Sequence, residues 1–246
     1  MYDPKGNSKE KTAEAVQFSE IEPPDHLHGI VHRFLELQTD GALSDDYRFH
    51  ALPDACTYIV FDQLDVKISG VTKLRASSEE LNLGRTFHYI NIRFLPGVWQ
   101  NDRVNVAHGM VSDIFSGDLP LLDINKKLQN VAVNAKQTVL IELVEQLIES
   151  KIVIANPVTE KIFQNIDDIY SVADMAEVSN ISARQLQRTL KQTTGFTPHD
   201  FLKILRLQQA LNGEPSLSYA DQSHFIHSFR KATGYTPGRF SKKFDV

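Results

Sequence analysis

Residues 171–201 read SVADMAEVSNISARQLQRTLKQTTGFTPHDF, and this stretch decides how the C-terminal part of the chain folds. Ser171 and Ser182 each precede a run with helical spacing of apolar residues, and serine is a preferred N-cap. Between the two runs, Asn180 stands where a tight turn needs a residue that tolerates positive φ. The pattern predicts two short helices joined by a tight turn, which is the arrangement of a helix-turn-helix.

The outer face of the second predicted helix carries side chains that suit DNA. Arg184, Gln187 and Arg188 lie three and four positions apart, so they project together. Arginine can pair with guanine and glutamine with adenine in the major groove, and these three residues are therefore predicted to contact bases. Lys191, one turn further along, and Ser182 at the helix start are predicted to contact phosphates. An ordinary amphipathic surface helix would explain the charges but not the caps and the turn.

The same pattern occurs a second time in the chain. LQRTLKQTTGFTPHDF (186–201) aligns with FIHSFRKATGYTPGRF (225–240) at an offset of 39 residues. In each copy a glycine is predicted to end the helix and a proline to begin the next element. Two such units could read successive faces of the major groove without a dimer. The residues that match are Leu186, Leu190, Thr194, Gly195, Phe196, Thr197, Pro198 and Phe201, which answer Phe225, Phe229, Thr233, Gly234, Tyr235, Thr236, Pro237 and Phe240.

Residues 169–240 resemble the DNA-binding domain of the AraC/XylS family of bacterial transcription regulators. The motifs that carry the resemblance are Leu186-Gln187-Arg188, Gly195-Phe196-Thr197-Pro198, Arg206-Leu207-Gln208-Gln209-Ala210, Asp221-Gln222-Ser223-His224-Phe225 and Gly234-Tyr235-Thr236-Pro237. In that family a long helix joins the two units, and the resemblance places it at His199–Asn212. The implied partners are double-stranded DNA and, for an activator, RNA polymerase.

The resemblance also implies contacts for the second unit. Base contacts fall on Gln222, Ser223 and His227, beside Arg184, Gln187 and Arg188 in the first unit. Arg230 and Lys231 are implied to contact phosphates.

The junction between the two units is shorter than in the family pattern. After Ala210 the sequence LNGEPSLSYADQSHF goes almost directly into the second recognition helix, and Pro215 stands where the first unit has Ala176. The supporting helix of the second unit is therefore predicted to be missing. Two outcomes follow: weaker DNA binding through the first unit plus dimerisation, or loss of operator binding with a partner-binding role retained.

The N-terminal half is predicted to be a β-rich sensor domain over residues 25–118. Runs of β-branched and aromatic residues alternate with turn signals, which favours a small antiparallel sandwich or barrel. The sequence 47–62, YRFHALPDACTYIVFD, is also similar to the cupin-like sensor domains of one branch of the family. Residues 1–24 are predicted to be a disordered or loosely attached lead. The strand-like runs are IVHRFLELQ (30–38), DACTYIVFD (54–62), VKISGVTKL (66–74), FHYINIRFL (87–95) and RVNVAHGMV (103–111).

Helical spacing begins near residue 119. Residues 119–155 are predicted to be helical, 156–168 a linker, and 169–246 the all-α helix-turn-helix domain. Within the helix at 135–150, Leu140, Val144 and Leu147 form a stripe that could be the seam of a homodimer or could pack against the chain's own barrel. The predicted fold class is therefore α+β, with a sensor domain in front and a helical domain behind.

Composition adds charge asymmetry to this organisation. Net charge is −5, but residues 171–246 hold ten Lys and Arg against six Asp and Glu, while residues 1–170 hold sixteen against twenty-five. Only the C-terminal part is thus expected to approach a polyanion. Cys56 is the only cysteine, which excludes an intrachain disulfide and suits a reducing compartment. The polar N-terminus and the lack of a long apolar run predict a cytoplasmic protein.

Other site chemistries are weaker candidates. His26, His28, His32 and Glu36 carry metal-binding groups, but their spacing does not match a metal-binding barrel, and no metal is predicted. Because no nucleophile, phosphate-loop or dinucleotide motif is found, the protein is predicted not to be an enzyme and to need no cofactor.

A small-molecule effector is the remaining candidate. A barrel of this size can enclose one ligand, and Phe87, Tyr89, Phe94 and Trp99 are candidate wall residues. Aromatic residues on strands are, however, more often plain core. The alternative to a DNA-binding regulator is a shortened relative that binds a ligand or a partner regulator through its barrel and the helix at 135–150.

Overall fold

Two antiparallel sheets form the N-terminal half of the protein, in a computed structural model that describes residues 2–100, 114–213 and 222–245. The first sheet has five strands, in which alternating apolar residues face a common core. In spatial order these strands are β2 (Val16–Ile21), β3 (Val31–Thr39), β8 (His88–Phe94), β5 (Thr57–Asp62) and β6 (Ser69–Val71).

The second sheet joins the two ends of the chain. Its spatial order is β7 (Glu79–Gly84), β4 (Tyr47–Ala51), β1 (Asn7–Glu10) and β9 (Phe244–Asp245). Lys9 lies opposite Asp245 and Glu10 opposite Phe244, so the last strand of the chain pairs with the first. The C-terminal end therefore completes a sheet of the N-terminal domain.

Two helices, α1 (Leu121–Asn130) and α2 (Val133–Glu149), cover the five-stranded sheet. The apolar stripe of α2, including Leu140, Val144 and Leu147, is buried and shares one hydrophobic core with the strands of that sheet. The stripe predicted as a possible homodimer seam is thus occupied by the chain's own β domain.

The N-terminal segment is ordered, which corrects the prediction of a loose lead over residues 1–24. Strands β1 and β2 lie within it, and their backbone groups are paired with β4 and β3. Tyr2 is buried and its ring stacks on Phe163 at a centroid distance of 4.5 Å. The partners of β1 and Tyr2 lie more than forty residues away along the chain, so local sequence patterns did not reveal them.

The stretch predicted as a linker, 156–168, also has regular structure. Helix α3 (Pro157–Gln164) fills most of it and is followed by a 3₁₀ turn at Ile166–Asp168. Asn156 caps α3 by accepting hydrogen bonds from the amides of Val158 and Thr159. Pro157 starts this helix instead of breaking one, because proline at the first helical position forfeits no intrahelical hydrogen bond.

Five further helices follow among the described residues, and with the two sheets they confirm the predicted α+β fold class. Two segments with sequence-based predictions, the strand at 103–111 and the junction at 214–221 with Pro215, lie outside the described residues. Within the described ranges no helix has the length and apolar character needed to cross a membrane. The helices are α4 (Val172–Val178), α5 (Ala183–Thr194), α6 (Pro198–Leu211), α7 (Gln222–Thr233) and α8 (Pro237–Lys243).

Candidate nucleic-acid interface

The first helix-turn-helix unit, α4 and α5, begins each helix with a capping box. The hydroxyl of Ser171 accepts from the amide of Asp174 at 3.2 Å, and the Asp174 carboxylate accepts from the amide of Ser171 at 2.8 Å. Ser182 and Gln185 repeat this exchange at the start of α5. Asn180 has a φ of 55° in the turn. The local geometry predicted from residues 171–182 is therefore confirmed.

The inner face of α5 is fixed by burial. Leu186 and Leu190 are fully buried, in one cluster with Met175 of α4, Phe163 of α3 and Phe201 of α6. Elements on three sides thus hold the helix. This packing fixes the orientation of α5, so its outer face points in one direction relative to the rest of the unit.

The outer face of α5 carries the predicted base-contacting residues together. Arg184, Gln187 and Arg188 are exposed, and none forms a hydrogen bond or ion pair with another residue in the described part of the chain. Lys191 is exposed one turn further along, where its ammonium donates to the carbonyl of Gly195 at 2.8 Å. Ser182 uses its hydroxyl in the cap. Two guanidinium groups and an amide are therefore free to meet a ligand from solvent.

The second unit places its predicted contact residues on α7. Gln222, Ser223 and His227 are exposed, as are the two basic side chains of its last turns, Arg230 and Lys231. The structure thus separates the predicted contacts into one group on α5 and one on α7.

The internal repeat is structural as well as sequential. The Thr194 hydroxyl donates to the carbonyl of Leu190 at 2.6 Å, and the Thr233 hydroxyl donates to that of Phe229 at 2.9 Å. Each threonine oxygen also accepts from the amide two residues ahead at 3.2 Å. Gly195 has a φ of 72° and Gly234, its counterpart, a φ of 82°, and these glycines follow the two helices as predicted.

The support beneath α7 differs from that beneath α5. Phe229 is buried in a set that we name the C-terminal aromatic cluster, which draws on α6, α7, α8, β9 and the residue after β4. The question of a dedicated supporting helix falls on residues 214–221, outside the described part. Among the described residues, the β domain supplies part of the brace. The buried members of the cluster are Leu52, Leu207, Phe229, Phe240 and Phe244.

His50, which sequence reasoning missed, connects this cluster to the β domain. Its ring stacks on Phe244 at 4.9 Å and meets Tyr235 edge-on at 5.5 Å. The Oγ of Ser8 lies 2.8 Å from its Nδ1. Burial lowers the pKa of His50, so the neutral ring is favoured. No local sequence pattern indicates that His50, in the predicted β-rich part, packs against the C-terminal end of the chain.

The four predicted pocket residues lie in two places. Phe94 and Trp99 are buried in the core between the five-stranded sheet and α1–α2, with ring centroids 5.3 Å apart. Phe87 packs near Tyr89 at 6.3 Å in a smaller cluster. Of the four, only Tyr89 lines the cavity between the sheets, whose volume is about 70 Å³. An engineered cavity that admits benzene has about 150 Å³, so the space within the β domain suits a few waters.

The side chains of His26, His28, His32 and Glu36 do not come together at one metal centre. The structure contains no group of three or more metal-ligating side chains in the ranges that it describes. The four side chains have separate partners, which are Glu145 for His26, the Pro23 carbonyl for His28, Asp3 for His32, and His88 with Lys136 for Glu36. Cys56 is buried, and burial raises its pKa well above the usual value, which makes the thiol unreactive.

Comparisons with known proteins cover different parts of the chain. Residues 19–101 match a family described as a domain of unknown function, DUF6597. The HTH-type transcriptional regulator MtrA of Neisseria gonorrhoeae is 26% identical over 95 residues, which is 34% of this chain and 32% of MtrA. The chain therefore matches about a third of the length of that relative.

Solved structures give a further likeness. Two structures of ToxT from Vibrio cholerae each cover 92% of this chain, and the matches span 98% and 97% of theirs. Their TM-scores are both 0.41, with sequence identities of 9% and 11%.

The likeness to AraC/XylS-type regulators combines motifs, geometry and sequence similarity. The repeated Gly-aromatic-Thr-Pro motif ends two helices of the same construction, and α6 joins the units where the resemblance places a long helix. The sequence similarity to an HTH-type regulator agrees with this. These observations make the chain similar to AraC/XylS-type regulators, with an N-terminal β domain followed by a helix-turn-helix and a repeat of its second helix.

Proposed function

We propose that the protein is a transcription regulator that binds double-stranded DNA with α5 in the major groove. The observation that carries this proposal is the outer face of α5. There Arg184, Gln187 and Arg188 project together without partners in the described structure, from a helix that is capped and buried behind. Long polar side chains presented at a fixed angle are what direct readout of base edges requires.

The proposed contacts divide by chemistry. Arg184, Gln187 and Arg188 read bases, while Lys191 and Ser182 hold the backbone beside them. The positive balance of residues 171–246 supports the approach of this part to a polyanion. MtrA, which is 26% identical to this chain over 95 residues, carries the name of a transcriptional regulator.

The second unit adds contacts of the same kinds. Gln222, Ser223 and His227 reach bases, and Arg230 and Lys231 reach phosphates. RNA polymerase is a further partner if the protein activates transcription. A small-molecule effector bound near the β domain would modulate the reading units.

The test is DNA binding at several salt concentrations, using duplexes selected by the protein from a randomised pool. Counterion release predicts that log K falls linearly with log salt, with a slope of about −0.9 per phosphate contact. The three cationic phosphate contacts, through Lys191, Arg230 and Lys231, give a slope of about −3, and the neutral Ser182 hydroxyl adds nothing to it. Negligible binding at all salt concentrations would reject the proposal.

A second candidate is an interaction protein that acts on a partner regulator. The observation that favours it is the attachment of α7 and α8 to the β domain through β9. A homodimer in this role would use surfaces other than the buried stripe of α2. Size-exclusion chromatography with a DNA-shift assay separates the two candidates, because an interaction protein would assemble without shifting DNA.

A further inference from the structure

A cavity of about 480 Å³ lies where the N-terminal segment, the β domain and α3 meet. We call it the junction cavity. Its volume falls within the range of about 300–1,000 Å³ that is usual for small-molecule sites. It is several times larger than the space between the two sheets. The side chains that matter for its chemistry are Tyr2, Asp3, Glu22, His32, Arg33, Asn156, Thr159, Glu160 and Phe163.

Negative charge predominates on its walls. Three carboxylates, those of Asp3, Glu22 and Glu160, line it beside the guanidinium of Arg33, and Asp3 is already paired with Lys5 at 3.0 Å. That guanidinium is already engaged, since it lies 3.2 Å from Glu22 and donates to the carbonyl of His32 at 2.8 Å. The Glu160 carboxylate has no ion-pair partner among the described residues and only accepts a 3.3 Å hydrogen bond from the amide of Gln164. Glu160 can therefore accept a hydrogen bond from a cationic group of a ligand.

His32 adds no positive charge to the cavity at neutral pH. Its side chain is only 7% exposed, and its Nε2 lies 3.1 Å from Asp3. Burial lowers the pKa of His32 to about 4, so the imidazole is neutral and Nε2 donates to the Asp3 carboxylate. The same ring leaves its Nδ1 without a hydrogen-bond partner. The walls thus offer mostly acceptors, and a ligand that fits them must donate.

The apolar part of the wall is aromatic. Tyr2 and Phe163 are buried and stacked on each other, and Val31, Leu95 and Val98 continue the surface. An apolar wall beside a carboxylate favours a cation with an apolar body, because the wall removes the body from water while the carboxylate accepts from the charged group.

We infer that the junction cavity binds a small organic cation, with its ammonium beside Glu160 and its apolar body against Tyr2 and Phe163. The inference rests on the proposed function in one respect, since it names the chemical class of the effector of that regulator. The site lies at the domain junction, outside the aromatic residues that the sequence suggested as a pocket.

The position of the cavity gives the ligand a route to the DNA-reading helix. Asn156 lines the cavity and caps α3, and its amide donates to the Gly97 carbonyl at 3.0 Å and to the Thr193 hydroxyl of α5 at 3.3 Å. Phe163, on the cavity wall, belongs to the same cluster as Leu190 of α5. A ligand that shifts α3 therefore acts on residues that hold α5 in place.

The experiment compares three probes with one body and different charges. Phenethylamine, 2-phenylethanol and phenylacetate are titrated into the full-length protein by isothermal calorimetry. The cation is expected to bind at least about tenfold more tightly than the other two, because a charge-assisted hydrogen bond contributes about 1.5–3 kcal/mol, where 1.4 kcal/mol is tenfold.

Two variants locate the site. Glu160→Gln removes the unpaired carboxylate with little change of shape and is expected to weaken phenethylamine binding by about tenfold. Gly29→Leu adds a side chain at the cavity wall, where the backbone of Gly29 imposes no positive φ, and should weaken all binding there. Glu149→Gln, an exposed position on α2, is the matched control and should bind as the unmodified protein does. Thermal unfolding of each variant confirms that it folds.

Equal affinity for the three probes, no binding, or tighter binding of phenylacetate would overturn the inference, as would unchanged binding in Glu160→Gln. None of these results affects the DNA titration. Failure of the cation site can therefore be distinguished from failure of the proposed function. Loss of DNA binding with intact, Glu160-dependent binding of phenethylamine would reject the proposed function and leave the site standing.

Discussion

Arg188 lies in the middle of the exposed face of α5, where a side chain can distinguish a base contact from a phosphate contact. We expect Arg188→Ala to cost about 1–3 kcal/mol of binding at one selected site and less on random duplexes. The physical reason is that a bidentate arginine pair depends on the base, whereas attraction to phosphate does not. Binding to both classes of DNA, measured at one salt concentration, gives the two differences.

Lys191→Ala is the matched control for Arg188, since both cations are exposed on one helix face. It should weaken binding to all sequences about equally and reduce the salt slope by about one contact. An equal loss on all sequences for Arg188→Ala would show that Arg188 is only a phosphate contact.

His32 gives the protein a pH-dependent stability. Its folded pKa of about 4 lies below the unfolded value of about 6.5, chiefly because burial disfavours the charged ring. The unfolded chain therefore binds a proton between these values and the folded chain does not, so stability falls as pH drops from 6.5 to 4. We expect a loss on the order of 3 kcal/mol from this residue, measured as the free energy of unfolding in urea.

The control for this prediction is His32→Gln, which should lose less stability over the same range. The paired carboxylate of Asp3 does not confuse the comparison. Its hydrogen bond with His32 lowers the pKa of Asp3, so its contribution is lost only as pH falls below the unfolded value of 3.8. Since His50 is present in both proteins, its contribution to the pH dependence is the same in each and drops out of the difference. Identical pH slopes would contradict the assignment to His32.

At the scale of elements, the sequence predicted the features that depend on neighbouring residues. The caps at Ser171 and Ser182, the φ of Asn180 and the glycine after α5 all depend on residues within one or two turns. The pairing of β1 with β9 depends on residues more than two hundred positions apart, and no pattern within either segment identifies its partner. The strands at β4 and β7, which pair with each other, were also not predicted, although Tyr47, Phe49 and Ala51 of β4 alternate with polar residues as in a strand.

The candidate site divides in the same way. The α5 face was predictable because helical spacing alone brings Arg184, Gln187 and Arg188 together. The junction cavity was not, since the N-terminal segment, the β domain and α3 contribute to it from distant parts of the sequence.

Gly195 tests how much the end of α5 depends on its backbone. It has a φ of 72°, and a Cβ there would meet nothing within 4 Å, so Gly195→Ala adds backbone strain without a clash. We expect a loss of about 1–2 kcal/mol in the free energy of unfolding. Gly238→Ala, in α8 with no positive φ and equally open space, should instead stabilise by about 0.4–1 kcal/mol. Changes of the same sign in both variants would contradict this account.

At the scale of the whole molecule, two ties between the helical region and the β domain, one at α6 and one at β9, add to the contacts of Tyr2 with Phe163 and of Gly97 with Asn156. Gln208 of α6 is fully buried, accepts from the amide of Lys5 at 2.6 Å and donates to the carbonyl of Pro53 at 2.8 Å. The second tie is β9, where Lys243 pairs with Glu10 at 3.0 Å and Phe244 enters the C-terminal aromatic cluster. The second tie braces α7 and leaves α5 to the core that α3, α4 and α6 provide.

This division predicts that the two reading helices can be loosened separately. Phe244→Ala removes a buried ring from the C-terminal aromatic cluster, a change that costs about 3–5 kcal/mol in a packed core. Hydrogen exchange of the backbone amides should then become faster in α7 while α5 keeps its protection, because Leu186 and Leu190 lie in a different cluster. Asp245→Ala is the control, since its ion pair with Lys11 is exposed and spans 3.7 Å. Equal loss of protection in α5 and α7 would mean that the helical region opens as one unit, and the independence of the two units would be rejected.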